Sequence, residues 1–156
     1  MIILGIDPGV ARLGYGIVEE IKNVPRAVTY GCFETPSTMS HANRLATIHK
    51  ELTQLIKKYR PVKIAVEKLF FSKNVKTALQ VGEARGVILM TCAKLQVPCV
   101  EISPKEVKQA LTGYGGADKQ QIQRMVQLLL KLKEIPKPDD AADALAIALA
   151  GARLPA

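Results

Sequence analysis

The sequence has no tryptophan and few rings of any kind: four tyrosines and three phenylalanines. The adjacent pair Phe70-Phe71 is therefore a large share of its aromatic content. Cysteine is limited to Cys32, Cys92 and Cys99, with neither a C-x-x-C pair nor an even-numbered set, so no disulfide framework is expected. Cys32 and Cys99 fall in strand-like runs and Cys92 in a helical one. All three read as small buried hydrophobes in a reducing cytosol. No apolar run is long enough to cross a membrane, and the opening Met1–Ile6 is too short and lacks the basic flank of a signal segment. A cytoplasmic protein is expected. Internal repeats, low-complexity stretches and linkers are also missing, which points to one domain over 1–156.

Negative charge is in short supply too. Fourteen Asp and Glu face twenty-two Lys and Arg, leaving a net charge of +8 and a pI near 9.5. That balance suits a polyanionic partner such as nucleic acid, although a merely solvated basic surface gives the same total. Aspartate is scarcest, with only Asp7, Asp118, Asp139, Asp140 and Asp143. Four of these five lie in two short motifs, Ile-Asp-Pro-Gly (6–9) and Asp-Asp-Ala-Ala-Asp-Ala (139–144).

Ile2 to Ile6 is a continuous apolar run closed by Asp7-Pro8-Gly9, the pattern of a strand buried on both faces. Gly14–Glu19 and Ala27–Phe33 read as further strands, joined by short connections that suit an antiparallel meander. Leu45, Ile48, Leu52, Leu55 and Ile56 recur at helical spacing over 44–58, and Pro61 ends that helix. Lys63–Val66 resumes as a strand. Val75–Leu95 is a long helix carrying small residues Gly82, Ala84 and Gly86, and Pro98–Ile102 is the fifth strand. Ser103-Pro104-Lys105-Glu106 is a capping box with proline at the first helical position. Two more helices follow, over about 118–132 and 139–151. The order β-β-β-α-β-α-β-α-α-α implies an α/β fold, with a five-stranded mixed sheet of three antiparallel strands then two parallel ones and helices packed on its faces.

In such a sheet Asp7 and Glu67 end two strands. If those strands are neighbours, both carboxylates emerge at the same edge, where open α/β sheets bind ligands. Asp140 and Asp143 are three apart on a helix and share a face. Each acid has an ordinary reading alone: Asp-Pro-Gly is a turn, an aspartate after Pro138 caps a helix, and Glu67 ends a strand. Asp143 resists such a reading, because Ala141, Ala142, Ala144, Leu145 and Ala146 surround it and a charge there needs a partner. Both Asp139 and Asp140 reach its face. We expect Asp139 to cap the helix and Asp140 to bind. Clustered carboxylates repel unless a hard divalent cation neutralises them, and Mg²⁺ is the usual ion on oxygen ligands. His41 and His49 lie far in sequence from every motif and read as surface residues. The Gly113–Lys119 stretch is not a phosphate-binding P-loop, since Asp118 stands where glycine is needed and Gln120 where Ser or Thr is needed.

Taken in order, these motifs resemble the RuvC-type Holliday junction resolvases of the ribonuclease H-like superfamily. The likeness runs through Ile3–Gly9, Gly14-Tyr15-Gly16, Val66–Phe70, Lys73-Asn74, Gly82–Val87, Val107-Lys108-Gln109, Lys119 and Asp140–Ala146. The Asp-x-Gly turn alone is weak, being shared with sugar kinases. The ordered set covers nearly the whole chain, and it selects Asp140 over Asp139.

The resemblance implies a Mg²⁺-dependent endonuclease that resolves four-way junctions by paired symmetric nicks, leaving 5′-phosphate and 3′-hydroxyl ends, in recombination and repair. Asp7, Glu67, Asp140 and Asp143 would be its catalytic and metal-binding residues, with two ions per site and Mn²⁺ as the alternative. Lys108 and Lys119 would contact phosphate. Phe70 would stack on unpaired bases, with Lys73 beside it on the backbone. A homodimer built on the long helix and a branch-migration helicase partner are implied as well. Three rivals remain: a same-fold nuclease for RNA or RNA–DNA hybrids, a non-catalytic junction-binding module, and a phosphotransferase. Four intact acids disfavour the second, since carboxylates gain nothing beside phosphate. A phosphotransferase of the related fold needs two such domains.

Overall fold

The computed structural model describes residues 1–68 and 74–155. Its five strands are β1 (Ile2–Asp7), β2 (Arg12–Ile21), β3 (Val24–Glu34), β4 (Lys63–Glu67) and β5 (Cys99–Ile102). The helices are α1 (His41–Tyr59), α2 (Val75–Lys94), α3 (Pro104–Thr112), α4 (Lys119–Leu129) and α5 (Asp139–Gly151). The strands form one sheet in the order β3-β2-β1-β4-β5. The β1/β2 and β2/β3 pairs are antiparallel, and β1/β4 and β4/β5 are parallel. This is the mixed α/β architecture expected from the sequence.

Alternation along β1 divides the core into two layers. Leu4 and Ile6 face α1 and α2, packing with Ile17, Ile64 and Val66 against Ile48, Leu52, Ile56 and Ile88. Ile3 faces the other way, with Val18, Ala65 and Ile102, toward Val107, Leu111, Ile122, Val126 and Leu145 of α3, α4 and α5. Side chains of successive strand residues point to opposite faces, so a strand covered on both sides must be apolar throughout.

The hairpin between β2 and β3 is tighter than the sequence suggested. Lys22 and Asn23 alone form the turn, both at positive φ (51° and 63°), and Val24-Pro25 belong to β3. Two left-handed residues match the right-handed twist of the flanking strands. Helix α1 begins at His41 rather than near Arg44, because Ser40 caps it by accepting from the Asn43 amide. Helix α4 stops at Leu129, short of the expected Leu132, as Lys131 turns to a φ of 52°. The capping box at Ser103 and Glu106 forms as expected, and Asp118 with Gln121 makes a second one on α4.

The two histidines are not free surface groups. His49 Nδ1 lies 2.8 Å from Thr91 Oγ1, and His41 Nε2 meets Glu83 Oε2, so both tie α1 to α2. Cys32, Cys92 and Cys99 are free thiols, with Cys92 fully buried and the other two half-buried.

Helix α5 is buried almost all round, from Ala141 to Gly151 apart from Asp143. It lies across β1 and β2, and glycines in those strands make the approach close enough. A Cβ on Gly5 would sit 2.1 Å from Ala144 O, and one on Gly14 would sit 2.1 Å from Asp140 O. Any side chain at either position would lift the helix off the sheet.

Candidate active site

The sheet places the first two acids. In the parallel β1/β4 pair Ile6 lies opposite Val66, so Asp7 and Glu67 leave the same edge of the sheet side by side. Helix α5 supplies the others. Because its backbone rests on Gly14 at the level of Asp140, its first turns bring Asp140 and Asp143 over the end of β1.

Asp7 feels the charge of the other three acids. Burial pushes the Asp7 carboxyl up from its ordinary value of 3.8 to about 8, and Glu67, Asp143 and Asp140 add to the rise in that order. Glu67 is raised by burial and then by Asp143. Asp143 is raised by burial as well, although Lys119 opposes the shift. Taking a carboxylate out of water without a counter-charge disfavours its ionised form, and like charges deepen the effect. A group with this property is a functional-site candidate.

Among the described residues, two cations pair directly with acids of α5. Lys119, the first residue of α4, places Nζ 3.0 Å from Asp139 Oδ2 and 3.5 Å from Asp143 Oδ2. Arg12, the first residue of β2, donates from Nε to Asp140 Oδ2 at 3.0 Å. Among the described residues, no three His, Cys, Asp or Glu side chains come together closely enough to enclose an ion. Arg12 pairs with Asp140 and Lys119 with Asp143, and like charge among the acids opposes their closer approach. The donor set nonetheless fits a hard divalent cation, being all carboxylate oxygen with more negative charge than two side-chain cations offset.

Asp139 does not do what the sequence suggested. Pro138 is the cap residue of α5, no side chain caps the helix, and Asp139 already lies in the first turn. Its carboxylate turns instead to Lys119, which holds it below the ordinary carboxylate range. A full cation on the neighbouring helix outcompetes the backbone amides for that carboxylate.

Lys108 is half-buried on α3 and Lys119 exposed on α4. With Glu67 and Asp143 they line a cavity of about 230 Å³ whose floor is Val107, Ile122, Ala146 and Ile147. The two lysines thus stand beside two of the four acids. Lys68 lies 3.8 Å from Glu106 Oε2. Phe70 and Lys73, expected at the DNA, lie outside the described residues. Arg12 is the site residue that sequence reasoning missed. The strand was expected to begin at Gly14, and only the β2/β3 register, with Arg12 opposite Glu34, carries it to the site edge.

Comparison with known proteins shows the family. The family described as crossover junction endodeoxyribonuclease RuvC matches residues 3–151. Crossover junction endodeoxyribonuclease RuvC of Halothermothrix orenii is 53% identical over 96% of this chain and 90% of its own length. That of Roseiflexus sp. is 55% identical over 94% and 87%. The structure of Thermus thermophilus RuvC superposes with a TM-score of 0.91 at 37% identity, covering 97% of this chain and 93% of that one. The same protein in complex with a Holliday junction substrate gives 0.89 at 35% identity with the same coverage. Yeast mitochondrial Holliday junction resolvase shares the fold, at 15% identity and a TM-score of 0.65. By its sequence and its ribonuclease H-like sheet, the chain belongs to the RuvC family of crossover junction endodeoxyribonucleases.

Proposed function

We propose that this chain resolves four-way DNA junctions, cutting two strands symmetrically and leaving 5′-phosphate and 3′-hydroxyl ends. The observation that carries the reading is the gathering of Asp7, Glu67, Asp140 and Asp143 at one strand edge, with Asp7 raised to about 8 by burial and its neighbours. A relative of 35% identity occurs in complex with a Holliday junction substrate, which supports the choice of substrate.

Asp7, Glu67, Asp140 and Asp143 would hold two Mg²⁺ ions, with Mn²⁺ as the alternative. When bound, such ions neutralise the carboxylates, activate water for attack on phosphorus and stabilise the leaving oxygen. The chain's own residues do the rest. Asp7, half-buried at the end of β1, is the central donor. Lys119 exchanges its contacts with Asp139 and Asp143 for a substrate phosphate, and Lys108 holds the strand at the mouth of the cavity. Phe70 stacks on a base unpaired at the junction and Lys73 binds the backbone beside it.

Two symmetric cuts call for two copies. Helix α2 supports a homodimer: Leu79 is 64% and Met90 45% exposed on it, and a Cβ on Gly86 would meet nothing. A branch-migration helicase partner, and a place in recombination and repair, follow from the family alone.

The test is cleavage of a labelled four-way junction beside linear duplex and RNA–DNA hybrid, with Mg²⁺ and with EDTA. Paired, Mg²⁺-dependent nicks confined to the junction are expected. Cutting of the hybrid alone would assign a different substrate, and binding without any cut would reduce the chain to a recognition module.

A further inference from the structure

Arg12 opens β2 directly opposite Glu34, which closes β3. Its guanidinium is shared between two carboxylates. Nε is 3.0 Å from Asp140 Oδ2, and Nη2 is 3.5 Å from Glu34 Oε1. Cys32, the strand partner of Gly14, brings its Sγ to 4.0 Å from the same Asp140 oxygen. The main chain of Asp140 is held as well, because its carbonyl rests where a Cβ on Gly14 would be. Asp140 is therefore pinned from below by β2 and from the side by Arg12. An aspartate has one short, two-bond side chain, so restraining Oδ2 also sets where Oδ1 points.

The two cations paired with acids of α5 differ in their anchoring. Among the described residues Lys119 pairs with carboxylates of α5 alone, as a point charge on a flexible stem. Arg12 has a partner of its own across the strand pair, and its planar fork cannot turn to another anion without leaving both Asp140 and Glu34. That is the construction of a support rather than of a removable counter-ion. Partners of this kind orient ligands, and their loss typically lowers metal affinity by about 10–100-fold.

We propose that Arg12 is a positioning residue: by holding Oδ2 of Asp140 from the β2 edge, it presents the other carboxylate oxygen to the ion-binding site. Glu34 acts one step further out, by anchoring Arg12. The inference rests on the reading of Asp140 as a metal ligand given above.

The test is a titration of the DNA-free protein with Mn²⁺, followed by the free-ion signal in electron paramagnetic resonance. Wild type, Arg12→Met, Arg12→Lys, Glu34→Ala, Asp140→Asn and the Arg12→Met/Asp140→Asn double variant would be compared. Arg12→Met is expected to weaken Mn²⁺ about tenfold. Arg12→Lys should recover part of the loss, and Glu34→Ala should show a smaller loss of the same sign. The double variant should bind as Asp140→Asn does. Glu34 is exposed at a strand end, so its variant reads the effect even if Arg12→Met folds poorly. Equal affinity for Arg12→Met and wild type would overturn the positioning role. Tighter binding would overturn it too, making Arg12 a competitor of the ion. A wild-type protein that takes up no Mn²⁺ would instead overturn the metal reading on which this one stands.

Discussion

Replacing Asp7 with asparagine probes the site without touching the fold around it. The amide keeps the shape and removes the charge. In the metal-free protein the carboxyl rises from 3.8 to about 8, chiefly through burial and then through Glu67, Asp143 and Asp140. At about 1.4 kcal/mol per tenfold change in proton affinity, the folded state carries a penalty of up to about 6 kcal/mol on ionised Asp7. Movement of the carboxylates and entry of water reduce this to about 2–4 kcal/mol. The folded chain holds the proton more tightly than the unfolded one does. The penalty is therefore absent below about pH 4, builds as the pH rises toward 8, and is complete above it. Asp7→Asn escapes it. In EDTA the variant should melt with wild type at pH 4 and about 5–15 °C higher at pH 8.5. Saturating Mg²⁺ should close the gap by stabilising wild type alone. Scanning calorimetry over that pH range reads all three expectations, and a junction assay should find cleavage abolished with binding kept or tightened. Melting curves that coincide at every pH would refute the argument that Asp7 bears uncompensated charge. A variant less stable at pH 8.5 would make Asp7 a structural residue.

Gly14→Ala should displace α5, since the new Cβ would lie 2.1 Å from Asp140 O. We expect a loss of about 2–3 kcal/mol in urea unfolding, with junction cleavage falling by more than the residual fold explains. Lys119→Ala frees Asp139 and Asp143 from their shared cation. Junction affinity should weaken, and the slope of log K against log salt should shrink by about one. Phe70→Ala should reduce junction cleavage far more than binding to plain duplex, and equal losses on both would assign that ring to the core.

The two core layers and the placing of Asp7 and Glu67 at strand ends were legible because they follow from local pattern. Apolar runs closed by Asp-Pro-Gly or by Glu67 define buried strands, and a helix-linked strand lies parallel to its predecessor. The capping box at Ser103 and Glu106 was legible for the same reason, its partners being three residues apart. The Asp139 cap failed because Lys119, twenty positions away in the chain, takes the carboxylate that the helix end would otherwise use. The contacts of the histidines were hidden for a like reason, as their partners Glu83 and Thr91 each lie 42 residues off, on α2.

By itself, then, the sequence determined which residues are acids, that Asp7 and Glu67 end strands and that Asp140 and Asp143 share a helix face. The pairing of β1 with β4 that puts Asp7 and Glu67 at one edge came from the sheet. Tertiary structure alone decided what the acids touch. Asp140 meets Arg12 because glycines in β1 and β2 let α5 settle onto the sheet and because the β2/β3 register carries Arg12 to its rim. Such contacts join residues more than a hundred positions apart. They depend on sub-ångström packing between elements, for which no periodicity in the chain is a record.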